Sequence, residues 1–259
     1  MKTALRISLV QTDIAWENKR ENLRKLEIKL QALSGKTDFI VLPEMFSTGF
    51  TMQSHLFAET INGETLTTLR QWSKKYNIAI AGSFICNEKE KFFNRAFFLS
   101  PDGEEHFYDK RHLFRMGNEP QYFSAGSQRC IFSWLGWKIC LMVCYDLRFP
   151  VWCRNVINEY DLLLFVANWP APRTRAWDTL LCARAIENQS YVCGVNRVGD
   201  DAMGIHYNGN SALYNMKGEN LVNFTKDEEG IRTVNLNLDS LRSFRTKFPA
   251  WRDADFFSL

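Results

Sequence analysis

The stretch that most constrains the fold is Trp137-Lys138-Ile139-Cys140-Leu141-Met142-Val143-Cys144-Tyr145-Asp146-Leu147-Arg148-Phe149-Pro150. Ile139 to Val143 is apolar on both faces of an extended chain. That is the pattern of a central strand in a sheet covered on both sides. Polarity then arrives at once with Tyr145, Asp146 and Arg148. Ligands of open α/β sheets sit outside the carboxyl ends of the strands, and Cys144 stands at such an end. Taken alone, the thiol reads as a buried structural cysteine, the commoner case. The rest of the chain has to decide between that and a nucleophile.

The same pattern recurs along the sequence. Residues 4–11 alternate and are β-rich, which predicts a strand. Leu23, Leu26, Leu30 and Leu33 mark an amphipathic helix over 18–33, stopped at Gly35. Phe39-Ile40-Val41-Leu42-Pro43-Glu44 is a second buried strand that also ends in an ionisable residue. This β-α-β opening predicts parallel strands joined by a right-handed crossover. The apolar, aromatic run Met45-Phe46-Ser47-Thr48-Gly49-Phe50 reads as a pocket wall rather than a solvated loop. A helix follows over 64–76, a strand over 78–85, and a hairpin over 92–100 and 104–109 around Pro101-Asp102-Gly103. Lys110 closes that hairpin. Residues 114–126, holding Glu119-Pro120, lack periodicity, and long irregular segments inside compact domains tend to be functional.

The second half predicts a hairpin over 129–135 and 137–143, a helix over 148–158, and a buried strand over 161–166 ending in Ala167-Asn168-Trp169-Pro170. A helix over 174–188 and a strand over 191–196 come next. A third hairpin is expected over 209–215 and 221–224, then a strand over 231–236 and a short helix over 238–247. The aromatic tail, 248–259, must pack on something. No linker, low-complexity stretch or charge run interrupts the chain, so residues 1–259 are expected to form one α/β domain. The two halves echo each other as strand, helix, strand, helix, strand, hairpin, which suggests two stacked sheets flanked by helices.

Composition removes several function classes. The chain has 259 residues, enough to bury a full core, with 46% apolar and 24% charged residues. Net charge is +3 and no Lys/Arg cluster appears, so nucleic acid is not an expected partner. No apolar run approaches the roughly 18 residues of a membrane span, and the first residues enter a strand without a signal-peptide pattern. Seven cysteines, an odd number in mostly apolar surroundings, favour reduced thiols in a cytosol. Metal spacing is absent: Cys140 and Cys144, four apart on a strand, stand about 13 Å apart at about 3.3 Å per residue, too far to share a zinc. The four histidines form no HxxxH or HxH pair, and the sequons at Asn188 and Asn223 mean little without a secretion signal. No metal or other cofactor is expected.

Glu44, Lys110 and Cys144 together suggest a reaction. A free thiol is only a few per cent ionised at neutral pH. A neighbouring carboxylate can take its proton, and an ammonium can stabilise the thiolate and later an oxyanion. Backbone N–H groups at the start of the helix after Cys144 would add a donor. Such a set suits attack on a carbon bearing nitrogen: an amide, a nitrile or a carbamoyl group. None of His55, His106, His112 and His206 follows a buried strand as Glu44 does.

These residues lie in segments that resemble the nitrilase superfamily of carbon–nitrogen hydrolases. The matching pieces are Leu42-Pro43-Glu44, Tyr108-Asp109-Lys110-Arg111-His112-Leu113, and Cys144-Tyr145-Asp146-Leu147-Arg148-Phe149-Pro150. Asn94-Arg95-Ala96, Glu119, Ala167-Asn168-Trp169-Pro170, Arg184-Ala185-Ile186-Glu187-Asn188 and Gly209-Asn210-Ser211 support them, in family order over almost the whole chain. The resemblance implies an α-β-β-α sandwich that dimerises through helices near the nucleophile. It implies Glu44 as general base, Cys144 as nucleophile and Lys110 as oxyanion stabiliser. Glu119 is then a positioning acid, and the Tyr145 N–H completes the oxyanion hole. The expected path is a tetrahedral intermediate, loss of ammonia, a thioester and its hydrolysis.

Within the superfamily, the segment from Cys144 to Trp152 with Ala167-Asn168-Trp169-Pro170 is similar to the bacterial omega-amidase group, which hydrolyses 2-oxoglutaramate. Such a substrate carries a far carboxylate, for which Arg173 and Arg175 are candidates. Arg148 is a third, although its expected role is a buried arginine paired to a helix or loop acid. Trp169 and Phe46 would supply apolar walls, core packing being an equal reading for Phe46. Asn168 belongs to the expected substrate site, and Asp146 is expected to cap the turn after Cys144. The rivals are an N-carbamoyl amino acid hydrolase, an aliphatic or deaminated-glutathione amidase, a true nitrilase, a non-catalytic scaffold and a metal-dependent hydrolase.

Overall fold

Period-two alternation on four strands decides the architecture of the computed structural model, which describes residues 3–255. Strand β1 (Ala4–Gln11) turns Leu5, Ile7 and Leu9 to one side and Val10 to the other. Strand β2 (Phe39–Val41) sends Phe39 and Val41 inward and Ile40 outward. In β3 (Ala79–Glu88), Ala79 and Ala81 face in while Ile80 and Phe84 face out; in β4 (Lys91–Leu99), Ala96 and Phe98 face in while Phe97 and Leu99 face out. Each face therefore needs a separate apolar cover.

The outer face is covered by helices α1 (Lys19–Leu33) and α3 (Glu64–Tyr76), with the one-turn helix α2 (Ser54–Phe57) between them in sequence. Leu23, Leu26, Leu30 and Leu33 of α1 and Leu66 and Leu69 of α3 join that layer. Asn18 caps α1 by accepting from the Glu21 N–H at 3.1 Å. The inner face packs on a second sheet. Its strands include β6 (Cys130–Trp134), β7 (Trp137–Val143), β8 (Leu162–Ala167) and β9 (Tyr191–Asn196). Inward residues of both sheets form one core with Trp137, Ile139, Leu141, Leu164 and Val166.

Strand β5 (Glu105–Asp109) and the final strand β13 (Gly230–Asn237) form the edges of the first sheet, whose order is β13-β1-β2-β3-β4-β5. The ribbon β10 (Val198–Asp200) with β11 (His206–Asn208) stands apart, and β12 (Ala212–Tyr214) ends a second sheet ordered β12-β9-β8-β7-β6. The β1–β2–β3 and β7–β8–β9 runs are parallel. Helix α4 (Glu119–Tyr122) is a single turn; α5 (Thr174–Glu187) buries Trp177, Leu181 and Ala185 on the second sheet; α6 (Leu238–Lys247) follows β13. Helices α1, α3 and α5 link β1 to β2, β2 to β3 and β8 to β9, while 3-10 turns and irregular chain link β7 to β8. The expected α-β-β-α sandwich is the observed fold. Among the described residues no helix is long and apolar enough to cross a membrane. All seven cysteines are free.

Three expectations change. The helix over 148–158 does not form. A five-residue 3-10 turn, Cys144–Arg148, leads into irregular chain and a second 3-10 turn at Val156–Asn158. Pro150 disfavours the helical conformation at the residue before it, and Phe149 sits at φ −114, ψ 87; the Asn155 side chain captures the backbone of Tyr160 and Asn188. The third hairpin shrinks to β12 and a single bridge, Tyr214 to Asn220. Asn215 takes the N–H groups of Lys217 and Glu219, and Asn220 those of Leu213 and Val222, which a ladder would have used. The β10–β11 ribbon was not anticipated. In the tail, Gln189 holds the Phe248 carbonyl at 2.7 Å; residues 256–259 lie outside the described residues.

Candidate active site

Glu44 lies just past β2, where the chain reverses through left-handed Met45 (φ 44). Its side chain is buried. Oε1 accepts from Lys110 Nζ at 2.9 Å and from Asn94 Nδ2 at 2.7 Å. Oε2 accepts the Asn168 backbone N–H at 2.8 Å, and Asn168 Nδ2 returns to the Glu44 carbonyl at 2.6 Å. A loop of the second sheet thus clamps the acid carried by the first.

Lys110 follows β5 directly and is fully buried. Its Nζ stands 2.9 Å from Glu44 Oε1, and 3.0 and 2.9 Å from the two oxygens of Glu119. Burial alone would lower the ammonium pKa, but Glu119 and Glu44 outweigh it and the pKa is raised. Lys110 is therefore a permanent cation. Glu119 opens α4; its Oε2 accepts the Phe114 N–H and its Oε1 accepts from Asn94 at 3.1 Å. Burial pushes the Glu119 carboxyl up, Lys110 pulls it down, Glu44 pushes it up again, and the net direction is up.

Cys144 opens the 3-10 turn after β7 with φ 42, a left-handed value uncommon outside glycine. The bend turns the thiol out of the strand. Sγ lies 3.9 Å from the Asn168 carbonyl. Burial raises the thiol pKa well above its ordinary value and the Glu44 carboxylate, which also hydrogen-bonds it, adds to the rise; Lys110 opposes. At neutral pH the group is a thiol facing an acceptor.

Asp146 fixes this bend. Its Oδ2 accepts the Val143 N–H at 3.0 Å, the expected cap, and the Tyr108 hydroxyl at 2.8 Å. Its Oδ1 accepts the His112 N–H at 2.9 Å and faces His112 Nδ1 at 2.8 Å. Tyr108 and His112 bracket Lys110, so one carboxylate ties the lysine segment to the thiol turn. A carboxylate only accepts, so His112 carries its proton on Nδ1.

The remaining expected site residues divide. The Tyr145 ring packs at 5.2 Å against both Phe114 and Phe149, and its N–H belongs to the first, unpaired donors of the turn. Trp169 is held by Asn196 through its N–H at 2.7 Å and donates Nε1 to the Arg173 carbonyl at 2.8 Å. Arg173 lies over the Phe114 ring at 5.4 Å. Arg175 points to solvent from α5. Phe46 does not reach the cluster: it packs on Phe97, centroids 6.0 Å apart, in the layer beneath α1 and α3. Its N–H bonds the Ser83 carbonyl at 3.2 Å, which keeps it beside β3. Phe50, 5.1 Å from Lys110 Nζ, is the aromatic residue that lies against the cluster instead. Arg148 also departs from expectation. It pairs with no acid among the described residues and lies 4.9 Å over the Trp169 ring.

Asn94, known from sequence only as a family marker, and Ser83 were not read as site residues. The signal was present. Ser83 continues the inward row of Ala79 and Ala81, and Asn94 that of Ala96 and Phe98, so each puts a polar group where apolar ones are expected.

A thiol on a strained turn, a buried carboxylate beside it and a lysine shared by two acids define a hydrolase-type centre. The carbon-nitrogen hydrolase family model matches residues 6–246, and the chain belongs to that family. The omega-amidase YafV of Escherichia coli K12 is 45% identical over 255 residues, 98% of each chain. A 2-oxoglutaramate amidase of Bacillus subtilis strain 168 is 32% identical over 251 residues, 95% of this chain and 96% of its own. Among solved structures, XC1258 of Xanthomonas campestris, a CN-hydrolase superfamily protein with an arsenic adduct in its active site, superposes with TM-score 0.97 at 42% identity, covering 100% of both chains. Yeast Nit3, at 22% identity and TM-score 0.87 over 96% of each chain, shares the fold.

Proposed function

We propose that the chain is an amidase that cleaves the terminal amide of a small dicarboxylic acid monoamide such as 2-oxoglutaramate. The observation that carries the reading is the buried thiol set against Glu44 and Lys110. Glu44 takes the Cys144 proton as sulfur attacks the amide carbon. Lys110, with one N–H left after its two carboxylates, and the Tyr145 N–H receive the oxyanion. Glu44 returns the proton to nitrogen, ammonia leaves and a thioester remains. A water then gives its proton to Glu44 and attacks the thioester, and the thiol recovers a proton as the acid leaves. Glu119 positions Lys110. Asn168 Oδ1, buried without a partner among the described residues, accepts an N–H of the amide.

Arg173 and Arg148, each laid on an aromatic ring and neither paired with an acid among the described residues, are assigned to the far carboxylate, with Trp169 as wall. A guanidinium that spends no charge on a protein acid is available to a ligand. Arg175 and Phe46 have no part in this reading. The enzyme acts as one unit over residues 1–259, without a cofactor, as a cytoplasmic homodimer. The names of the full-length relatives YafV and the Bacillus amidase support the substrate class.

Ammonia release tests it, using 2-oxoglutaramate, succinamate, glutamine, an N-carbamoyl amino acid and a simple nitrile, each with Cys144→Ala as control. Fast, Cys144-dependent release from the first two is expected. Release from the carbamoyl compound alone would move the substrate class and keep the mechanism.

A further inference from the structure

Two carboxylates and one ammonium meet in a buried cluster, an arrangement one positive charge short of neutrality. Glu44 Oε1 and Glu119 Oε1 each bond Lys110 Nζ, and each also bonds Asn94 Nδ2, at 2.7 and 3.1 Å. The four atoms form a ring in which the two acceptors alternate with the two donor nitrogens. Asn94 is the neutral member, and its orientation is forced. The Met45 N–H can only donate, and it points at Ser83 Oγ at 2.8 Å. The Ser83 hydroxyl proton therefore goes elsewhere, to Asn94 Oδ1 at 3.0 Å. With its oxygen occupied, Asn94 has to present its NH2 group to the two acids. A reversed amide would set its oxygen against both carboxylates and leave Ser83 facing a second donor.

We propose that Asn94, oriented by Ser83, is a positioning residue that holds Glu119 ionised beside Glu44 around one lysine and so sets the lowest pH at which Cys144 can be activated. The role rests on the amidase reading for its kinetic consequence but not for its structural one. Donors to a carboxylate favour its charged form. Among the described residues, the titratable groups around the two acids are Lys110, the Cys144 thiol, and the Tyr207 phenol of β11, whose pKa burial and the nearby acids Asp201 and Glu44 raise. Of these only Lys110 is positive, and the Glu119 carboxyl is already pushed upward by burial. Removing two N–H donors would push the Glu119 carboxyl further up beside its buried neighbour.

The test has a kinetic and a substrate-independent arm. In Asn94→Ala, the acid limb of kcat/KM should move up by about one to two pH units, the worth of a hydrogen bond to a charged group. The loss should be larger at pH 6 than at pH 8. KM should stay within about threefold, since charge-state loss removes competent enzyme rather than ligand contacts. In the same full-length variant, the infrared C=O band of a protonated carboxylic acid should persist to a higher pH than in wild type. Ser83→Ala should shift both readouts the same way by less, and Ser83→Thr, which keeps the hydroxyl, should restore them. If Asn94→Ala fails to fold, Ser83→Ala and Ser83→Thr carry the test. Unshifted limb and band in the folded variants would overturn the proposal. An infrared shift in a protein that hydrolyses no amide would uphold the placement and sink the amidase reading alone.

Discussion

The two banks of the reaction centre are held by different means. On the first-sheet bank, Glu44, Lys110, Glu119 and Asn94 brace each other through side chains, with every charged atom buried and paired. On the second-sheet bank, Cys144 is held by backbone geometry: a left-handed residue, a short 3-10 turn and the grip of Asp146 on the Val143 N–H. One bank fixes charge, and the other fixes the direction of a neutral thiol. The contrast is physical. Ionised groups need partners to remain in a dry site, whereas a thiol needs only to be aimed.

The largest effect should fall on the thiol bank. Cys144→Ala should reduce ammonia release to background while thermal melting changes little, because the bend is made by the backbone; retained turnover would contradict the mechanism. On the charged bank, Lys110→Ala should cost at least about 10²-fold in kcat, the scale of a lost oxyanion donor. Unlike Cys144→Ala, it should also destabilise the fold, by about 3–5 kcal/mol, because two buried carboxylates lose their cation. A variant with unchanged melting would erase the difference between the banks.

Glu44→Gln should slow turnover by about 10²–10⁴-fold, the range for a general acid–base group. The same change removes a negative charge that raises the Cys144 pKa. Alkylation of Cys144 by iodoacetamide at pH 7 should therefore accelerate while hydrolysis slows, and both rates falling together would show that Glu44 only packs. Asp146→Asn links the banks. It should lower melting through a loss of about 1–3 kcal/mol for an unmet buried donor and reduce activity through misalignment of Lys110. At the rim, Arg148→Ala should raise KM for an ω-carboxylate amide about tenfold, a share of the value of a charged hydrogen bond, and leave a neutral amide unaffected; Arg175→Ala should change neither.

Much of this is legible in the sequence. Strand rows such as Leu5, Ile7 and Leu9, the leucine spacing of α1, and apolar runs that stop at Glu44, Cys144 and Asn168 gave the layers and the carboxyl-end site. The segment over 148–158 was not legible, because apolar spacing cannot show that Asn155 outcompetes helical bonding or that Ile157 and Asn158 turn left-handed at φ 52 and 55. Phe46 stayed open between wall and core for a related reason: an aromatic residue near Glu44 is no evidence of the side it faces once a reversal intervenes. Arg148 was expected to find an acid, yet the flat face of Trp169 serves a guanidinium as well. Ser83 and Asn94 were hidden among apolar neighbours, although their parity marked them.

The clamp between Asn168 and Glu44 spans 124 positions of sequence. The hydrogen bonds of that clamp bridge the two sheets, and none forms until each sheet has its own strands in place. Loop-closure entropy makes such distant pairings late events in folding. The first sheet also waits for its edge strand, since β13 pairs with β1. A nascent chain emerging from the ribosome therefore carries the cysteine well before it carries an organised base for it. Reactivity arises with the completed tertiary structure, so the onset of Cys144-dependent activity during refolding would time the docking of the two sheets.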